Sequence, residues 1–145
     1  MTDFEKMQRA IRKQRLIYER NNAKSELDAK EKEKKDYDDK VKDITSIVGK
    51  LNGVKGKISA KSSKAKSMLS APTAGFSGNL YNTVYKSNLK SVSSGYKSAI
   101  GGIESNVGLL NKKKQEFEKK SKALEPRIKE LKSTIKSLNS SIAAL

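Results

Sequence analysis

A single apolar register runs through the C-terminal part of this chain. Alternating steps of four and three residues from Leu89 to Leu145 reach 17 positions, and 14 of them are apolar, although hydrophobic residues make up only 34% of the sequence. Steps of this size keep returning to one face of an α-helix. The register therefore predicts a helix whose apolar seam has to be covered by another helix.

The N-terminal half predicts a second helix, over residues 2–70. It opens on a capping box, in which the side chains of Thr2 and Glu5 each accept a hydrogen bond from the other residue's amide. An apolar stripe follows at helical spacing, and a heptad seam begins at residue 41. The stripe consists of Phe4, Met7, Ile11 and Tyr18, broadened by Leu16 and Ile17, and the seam consists of Val41, Ile44, Val48, Leu51, Ile58, Ala65 and Leu69, interrupted by Lys55 and Ser62. Three glycines between residues 49 and 56 either weaken this helix or let another helix approach closely.

Residues 19–43 lie between the stripe and the seam, and 17 of these 25 residues are charged. An acidic residue stands four positions before a basic one five times in this segment, a spacing that supports an exposed helix. We therefore predict a continuous helix with a thin apolar seam, and disorder is the alternative. The apolar positions of this segment are Ala23, Leu27, Ala29, Tyr37 and Val41.

The helical pattern stops near the middle of the chain. Pro72 and Gly75 end a helix, so we place a turn over residues 71–79. This turn divides the chain into an N-terminal arm, residues 2–70, and a C-terminal arm, residues 80–145.

The C-terminal arm keeps its register through Gly101–Gly102 and through Pro126. We therefore expect the helix to bend near 101–102 and 126 and not to turn back there. Two amphipathic arms joined by one short break cover each other most simply as a hairpin. The predicted fold is all-α, an elongated antiparallel helical hairpin or coiled coil in a single domain, residues 1–145.

The two arms do not match in apolar content. The C-terminal seam is rich, whereas the opposing residues 19–40 are poor, so the hairpin leaves apolar surface uncovered. We expect a partner to cover it, either another copy of this chain or other amphipathic helices. The candidate partner-binding residues are Leu80, Val84, Leu89, Tyr96, Ile103, Val107, Leu110, Phe117, Leu124, Ile128, Leu131, Ile135 and Leu138.

The net charge of +16 is concentrated in the middle of the chain, where residues 44–102 carry nine lysines and no acidic residue. A strong positive charge suggests nucleic acid as a partner. This segment contains no arginine, however, and its aromatic residues lie in apolar registers and not among the cations. A solvated lysine face or an acidic protein partner therefore fits better than nucleic acid.

Catalysis is not expected of this chain. It contains no Cys and no His, the residues that most often serve as nucleophile, general base and metal ligand. It also lacks a glycine-rich phosphate loop and any metal-ligand spacing. We expect no catalytic residue, no metal and no cofactor, and the lack of an apolar run of about 18 residues predicts no membrane span.

An aromatic-x-glycine tripeptide, Phe76-Ser77-Gly78, stands between the two arms. With this position and arms of this length, the chain resembles the WXG-type helical hairpins of type VII secretion. It resembles more closely the YwqH-like relatives that are associated with LXG toxins, and the likeness extends to the closing segment ELKSTIKSLNSSI. The resemblance implies that Phe76 and Gly78 are turn residues, with Phe in the place of the family's Trp.

The resemblance also implies a binding function. The partner would be the N-terminal helical domain of an LXG toxin, which this chain would help to stay stable or to reach the secretion system. A second small helical protein, or another copy of this chain, could join that complex. No Tyr-x-x-x-Asp/Glu export signal is present, so we expect the chain to be cytoplasmic or to be exported with a partner that carries the signal.

Two other functions remain open at this point. A basic coiled coil could bind nucleic acid through its excess positive charge. A prefoldin-like hairpin could hold unfolded proteins at its tips, which predicts a β-rich head around residues 72–100.

Overall fold

The chain folds into two helices that pack against each other. In this computed structural model, which describes residues 1–70 and 84–145, α1 spans Asp3–Ser70 and α2 spans Lys86–Ala143. No strand occurs in either described stretch. The predicted all-α helical hairpin is confirmed.

The first turn of α1 is held by the predicted capping box. The Thr2 amide donates to the Glu5 carboxylate over 2.6 Å, and the Glu5 amide donates to the Thr2 hydroxyl over 3.2 Å. Asp3 and Glu5 also place negative charge beside the positive end of the helix dipole. These contacts satisfy amides that no earlier carbonyl of the helix can reach.

The second helix continues through Gly101, Gly102 and Pro126. Residues 84–100 are likewise helical, so that part of the β-rich head expected of a prefoldin-like protein is not formed by strands. The predicted turn, residues 71–79, lies outside the described residues.

Two compact units make up the chain, and each unit contains a stretch of both helices. Unit 1 comprises Met1–Val41 and Gln115–Leu145, and unit 2 comprises Lys42–Lys114. Each unit therefore has its own portion of the seam.

In unit 1 the two helices run antiparallel. Arg20 donates a hydrogen bond to Asn139 over 3.4 Å, and Lys34 donates one to Ser121 over 3.1 Å. A later residue of α1 thus contacts an earlier residue of α2. The apolar core of this unit is small, because only two apolar side chains are buried here. The buried residues of unit 1 are Ser121, Ile128 and Leu131.

Unit 2 is built in the same way. Lys55 of α1 forms an ion pair with Glu104 of α2 over 3.1 Å. Among the described residues of this unit, the buried ones are Ile44, Ser62 and Ala65. Small side chains at two of these three positions mean that little apolar volume is buried here.

The heptad seam is confirmed in both helices. Every position of the predicted C-terminal seam, from Leu89 to Leu145 in steps of four and three, is buried or half-buried. The same holds from Val41 to Leu69, where Lys55 and Ser62 occupy seam positions and continue the register. Most seam side chains are only half-buried, because two helices cover one face of each other and no more.

The charged segment 19–43 is helical, as predicted, and its seam is thin. Half-buried residues recur along it in the same register as in the rest of α1. The prediction is wrong for Ala29, which is exposed, because two residues beyond Leu27 the helix has turned by about 200°. The half-buried seam residues of this stretch are Arg20, Ala23, Leu27, Lys30, Lys34, Tyr37 and Val41.

The glycines within the helices have no packing role. All of them lie in unit 2 and are exposed, and a Cβ atom built at each would meet nothing within 4 Å. A close approach of another helix is therefore not what these glycines allow in this structure. Each one instead weakens its helix by about 1 kcal/mol relative to alanine.

Leu131, at 2% exposure, is the most deeply buried apolar residue of the described seam. We expect Leu131→Ala to lower the free energy of unfolding by about 2–4 kcal/mol, since it removes buried methyl groups and leaves a cavity. Chemical denaturation followed by circular dichroism measures this change. Leu109→Ala is the matched control, because Leu109 is 65% exposed and its loss should change stability by no more than about 0.5 kcal/mol. Equal losses of unfolding free energy in the two variants would contradict the burial of Leu131 in the seam.

Gly53→Ala should stabilise the protein by about 1 kcal/mol, because the new methyl group meets open space and the helix gains propensity. Ala60→Gly, at an exposed position of the same helix, should cost a similar amount and serves as the mirror-image control. Thermal unfolding of the two variants gives the comparison. A loss of stability in Gly53→Ala would mean that another helix does pack on this glycine.

Candidate functional site

Two flanks border the seam of an antiparallel helix pair, one on each side. Each heptad has two seam residues, the second of which follows the first by three positions. We call the position just before the first seam residue a g position, and the g positions together form the g flank. The position just after the second seam residue is an e position, and the e positions together form the e flank. The first seam residues of α1 are those in phase with Leu27, and those of α2 are in phase with Ile128. In an antiparallel pair, g positions of the two helices meet on one side and e positions on the other. What these flanks carry determines whether the pair can accept a further helix.

The g flank of unit 1 is closed by an ion pair between the helices. Arg127 donates two hydrogen bonds to Glu26, from Nε to Oε1 and from Nη2 to Oε2, each over 2.8 Å. The same guanidinium also pairs with Glu130 over 3.1 Å. The hydrogen bonds from Arg127 lower the pKa of Glu26, and those to Glu26 and Glu130 raise the pKa of Arg127. This fork-like geometry aligns α1 with α2.

The e flank of unit 1 is also ionic. Lys132 pairs with Glu31 over 3.2 Å, and both residues occupy e positions. The sequence predicted partners for Glu26 and Glu31 four residues further along α1, whereas these short contacts cross to α2. The acids of the charged segment therefore compensate for its thin apolar seam by binding cations of the opposite helix.

A polar layer crosses the seam of unit 1 at Lys34 and Ser121. The Lys34 ammonium donates to Asp38 over 3.0 Å and to Ser121 over 3.1 Å, and the Ser121 hydroxyl donates to the other oxygen of Asp38 over 2.5 Å. Glu125 lies 3.9 Å from the same ammonium. Because these polar groups are satisfied only in this pairing, the layer favours one register of the two helices.

An aromatic layer lies one step further along the seam. The rings of Tyr37 and Phe117 stack with centroids 5.9 Å apart. The ammonium of Lys40 lies 5.1 Å from the Phe117 centroid, and that of Lys120 lies 5.9 Å from the Tyr37 centroid. Lys40 and Lys120 occupy g positions, so cation–π contacts cover this layer on the same side as the Glu26–Arg127 pair.

The flanks of unit 2 differ from those of unit 1. Five of its nine described g positions carry large apolar side chains that are 42–46% exposed: Ile47, Val54, Met68, Tyr85 and Val92. The other four are Lys61, Ala99, Asn106 and Lys113. Its described e positions are polar: Thr45, Asn52, Ser59 and Lys66 in α1, and Lys90, Lys97, Glu104 and Asn111 in α2. We call the five apolar residues the apolar flank.

The predicted partner-binding seam is largely occupied within the chain. Its residues in α2, from Leu89 to Leu138, are half-buried or buried, and all of them lie at seam positions. Val84 is 47% exposed. Leu80 and the motif residues Phe76 and Gly78 lie outside the described residues.

Sequence reasoning did not find the apolar flank, although a signal for it was present. Ile47, Val54 and Met68 stand at multiples of seven residues, each directly before a seam position. From the sequence alone, apolar residues at these positions indicate only a broader seam. Only the pairing of the two helices shows that they lie beside it, half uncovered.

No group of three or more acidic side chains among the described residues is arranged to hold a metal ion. No helix of the described stretches is both long and apolar enough to cross a membrane.

Comparison with known proteins identifies no relative: no protein-family model, curated sequence or solved structure matches this chain significantly. The resemblance to the YwqH-like proteins therefore stays a prediction. Function has to be inferred from the chemistry of the surfaces themselves.

The Glu26–Arg127 pair predicts a pH dependence of stability. Because the pKa of Glu26 is lowered in the folded state, the pair stabilises the fold above the ordinary Glu pKa, near 4.3, and this contribution is lost as the pH falls through the lowered pKa. Wild type should therefore unfold at a higher temperature than Glu26→Gln at pH 7, and the difference should shrink below about pH 4.

Glu118→Gln is the control for this measurement, because Glu118 is exposed and has no ion pair with any residue that the structure describes. Thermal unfolding at several pH values should show a smaller and flatter difference for this variant. A Glu26→Gln difference that stays constant from pH 7 to pH 3 would contradict the pair.

Proposed function

We propose that this chain is a helical adaptor that binds the N-terminal helical domain of an LXG-type toxin and supports its stability or its targeting to type VII secretion. The observation that carries the binding function is the apolar flank of unit 2. The identity of the partner comes from the resemblance of the Phe76-Ser77-Gly78 hairpin to the YwqH-like proteins. Under this proposal the chain is not an enzyme.

A third helix is the occupant that fits an apolar flank. The flank runs along a pair of helices and offers apolar side chains from both, which is the arrangement that a further amphipathic helix covers in a bundle. Its five residues are roughly half exposed, so a partner can remove much of their remaining surface from water. The half-buried seam beneath them would gain cover at the same time.

Charge favours an acidic partner. Lysines border the apolar flank within unit 2, and residues 44–102 contain nine lysines and no acidic side chain, so this part of the chain is strongly positive even though Lys55 pairs with Glu104. An amphipathic helix with acidic residues beside its apolar stripe would match both features. Nucleic acid would use the lysines and leave the apolar flank exposed, which makes it the weaker interpretation.

The remaining parts of the proposal concern assembly and location. A second small helical protein or another copy of this chain could cover surface that the toxin helices leave free. We place the adaptor in the cytoplasm or in an exported complex whose signal is carried by the partner. Neither arrangement requires a metal or a cofactor.

Co-purification with an LXG toxin's N-terminal domain tests the proposal. The informative variant is Val54→Gln combined with Met68→Gln, which keeps good helix formers and makes the apolar flank polar. We expect the dissociation constant to rise about tenfold or more, because two partly exposed apolar side chains lose their burial in the complex. Isothermal titration with the purified domain measures this change.

The matched control is Phe4→Gln combined with Met7→Gln, two exposed apolar residues outside the apolar flank. This variant should bind the toxin domain like wild type, and circular dichroism should show both variants to be as helical as wild type. The proposal fails if wild type neither binds the domain nor improves its solubility. Equal affinities for the two double variants would place the toxin on another surface.

A further inference from the structure

A second apolar stripe lies at the N-terminal end of α1 and faces away from α2. Its residues are Phe4, Met7, Ile11 and Tyr18, with exposures of 64%, 53%, 56% and 68%. Tyr18 stands midway between the half-buried seam residues Leu16 and Arg20, about half a turn of helix from each. The stripe therefore belongs to the face opposite the seam, where neither α2 nor any continuation of it along the seam would cover it.

Arg12 and Arg15 lie along one side of this stripe, whereas Arg9 falls in the register of the seam, seven residues before Leu16. Arg9, Arg12 and Arg15 line an open cleft of about 590 Å3 together with Gln8, Ile11 and Leu145. Arg15 pairs weakly with Glu19 over 3.7 Å, whereas Arg9 and Arg12 have no ion pair with any residue that the structure describes. Residues 1–18 carry five basic and two acidic side chains. An apolar face beside uncompensated guanidinium groups calls for an occupant that is apolar and anionic at once.

A second copy of this chain does not fit the stripe. Two copies that met through this stripe would bring their basic segments 1–18 together, and repulsion between like charges opposes such a contact. Four side chains on one helix face also fall short of the roughly 1,200 Å2 that a specific protein interface buries. An anionic lipid surface is both apolar and anionic, because its phosphates lie directly above an apolar layer. It also needs no surface of matching shape on the protein.

We propose that the N-terminal segment of α1, residues 3–18, binds the surface of an anionic phospholipid bilayer. Phe4, Met7 and Ile11 enter the boundary between the headgroups and the acyl chains, and Arg12 and Arg15 beside them hold lipid phosphates. The segment lies in the plane of the surface with its apolar face down, in the manner of an interfacial amphipathic helix. This contact uses the face of α1 opposite the seam, so it does not depend on the proposed toxin partner.

Vesicle flotation with the full chain tests this proposal. Vesicles of phosphatidylglycerol and phosphatidylcholine should bind wild-type protein at 150 mM salt, and vesicles of phosphatidylcholine alone should not. Phe4→Gln combined with Met7→Gln should weaken binding at least about tenfold, since the two side chains can no longer enter the boundary. Val54→Gln combined with Met68→Gln is the matched control and should bind like wild type.

Charge is tested separately because the whole chain is basic. Arg12→Gln combined with Arg15→Gln should weaken vesicle binding at least about fivefold. Lys57→Gln combined with Lys64→Gln removes the same charge from exposed positions of unit 2 and should have a smaller effect. Equal losses in the two variants would show that net charge alone attracts the protein to vesicles, which would overturn the proposal.

Insertion can be observed directly because the chain contains no Trp. In the variant Phe4→Trp, the single indole should shift its emission to shorter wavelength when anionic vesicles are added, and lipids brominated on the acyl chains should quench it. Unchanged emission on vesicles that do bind the protein would overturn the proposal. So would a short DNA duplex that binds wild type and the Phe4–Met7 variant equally and displaces the protein from vesicles.

Discussion

The mutual covering of two apolar stripes is the constraint on which this structure depends. Each helix has one seam, and within each unit the seams of α1 and α2 lie against each other. A pair of helices covers a single face of each member, so most seam residues remain half-buried, and only four apolar residues are buried in the described part of the chain. Because so little apolar surface is removed from water, the residues beside the seam largely determine how unit 1 and unit 2 differ.

The flanks show two solutions to this constraint. In unit 1, ion pairs between the helices occupy both flanks, through Glu26–Arg127 on one side and Glu31–Lys132 on the other. These contacts combine with the Lys34–Ser121 layer to favour one alignment, and they leave polar side chains outermost. In unit 2 the g flank carries five large apolar side chains and the e flank is polar, so one side of that pair offers apolar surface to a further helix. The proposed binding surface therefore lies where apolar side chains take the place of the ion pairs.

Unit 2 also has the lower intrinsic helix propensity, because of its glycines. All the glycines of the described helices lie there, and none is required by a close contact. Its buried positions include Ser62 and Ala65, which bury little apolar surface. Helices with such composition open locally more easily than those of unit 1, and a surface that adapts to a partner benefits from that property. The low helix propensity and the apolar flank therefore belong to the same half of the chain.

Helix identity, seam register and the first capping contact followed from local spacing alone, because each depends on residues no more than one or two turns apart. The seam from Leu89 to Leu145 and the capping box of Thr2 and Glu5 could be predicted for this reason. The partner of Glu26 could not, because Lys30 and Arg127 are both suitable cations, and only the packing of α2 brings the guanidinium to 2.8 Å. The same reason applies to Phe4 and Val54: spacing shows that each belongs to an apolar stripe, but whether a stripe is covered, flanking or outward depends on where the opposite helix lies.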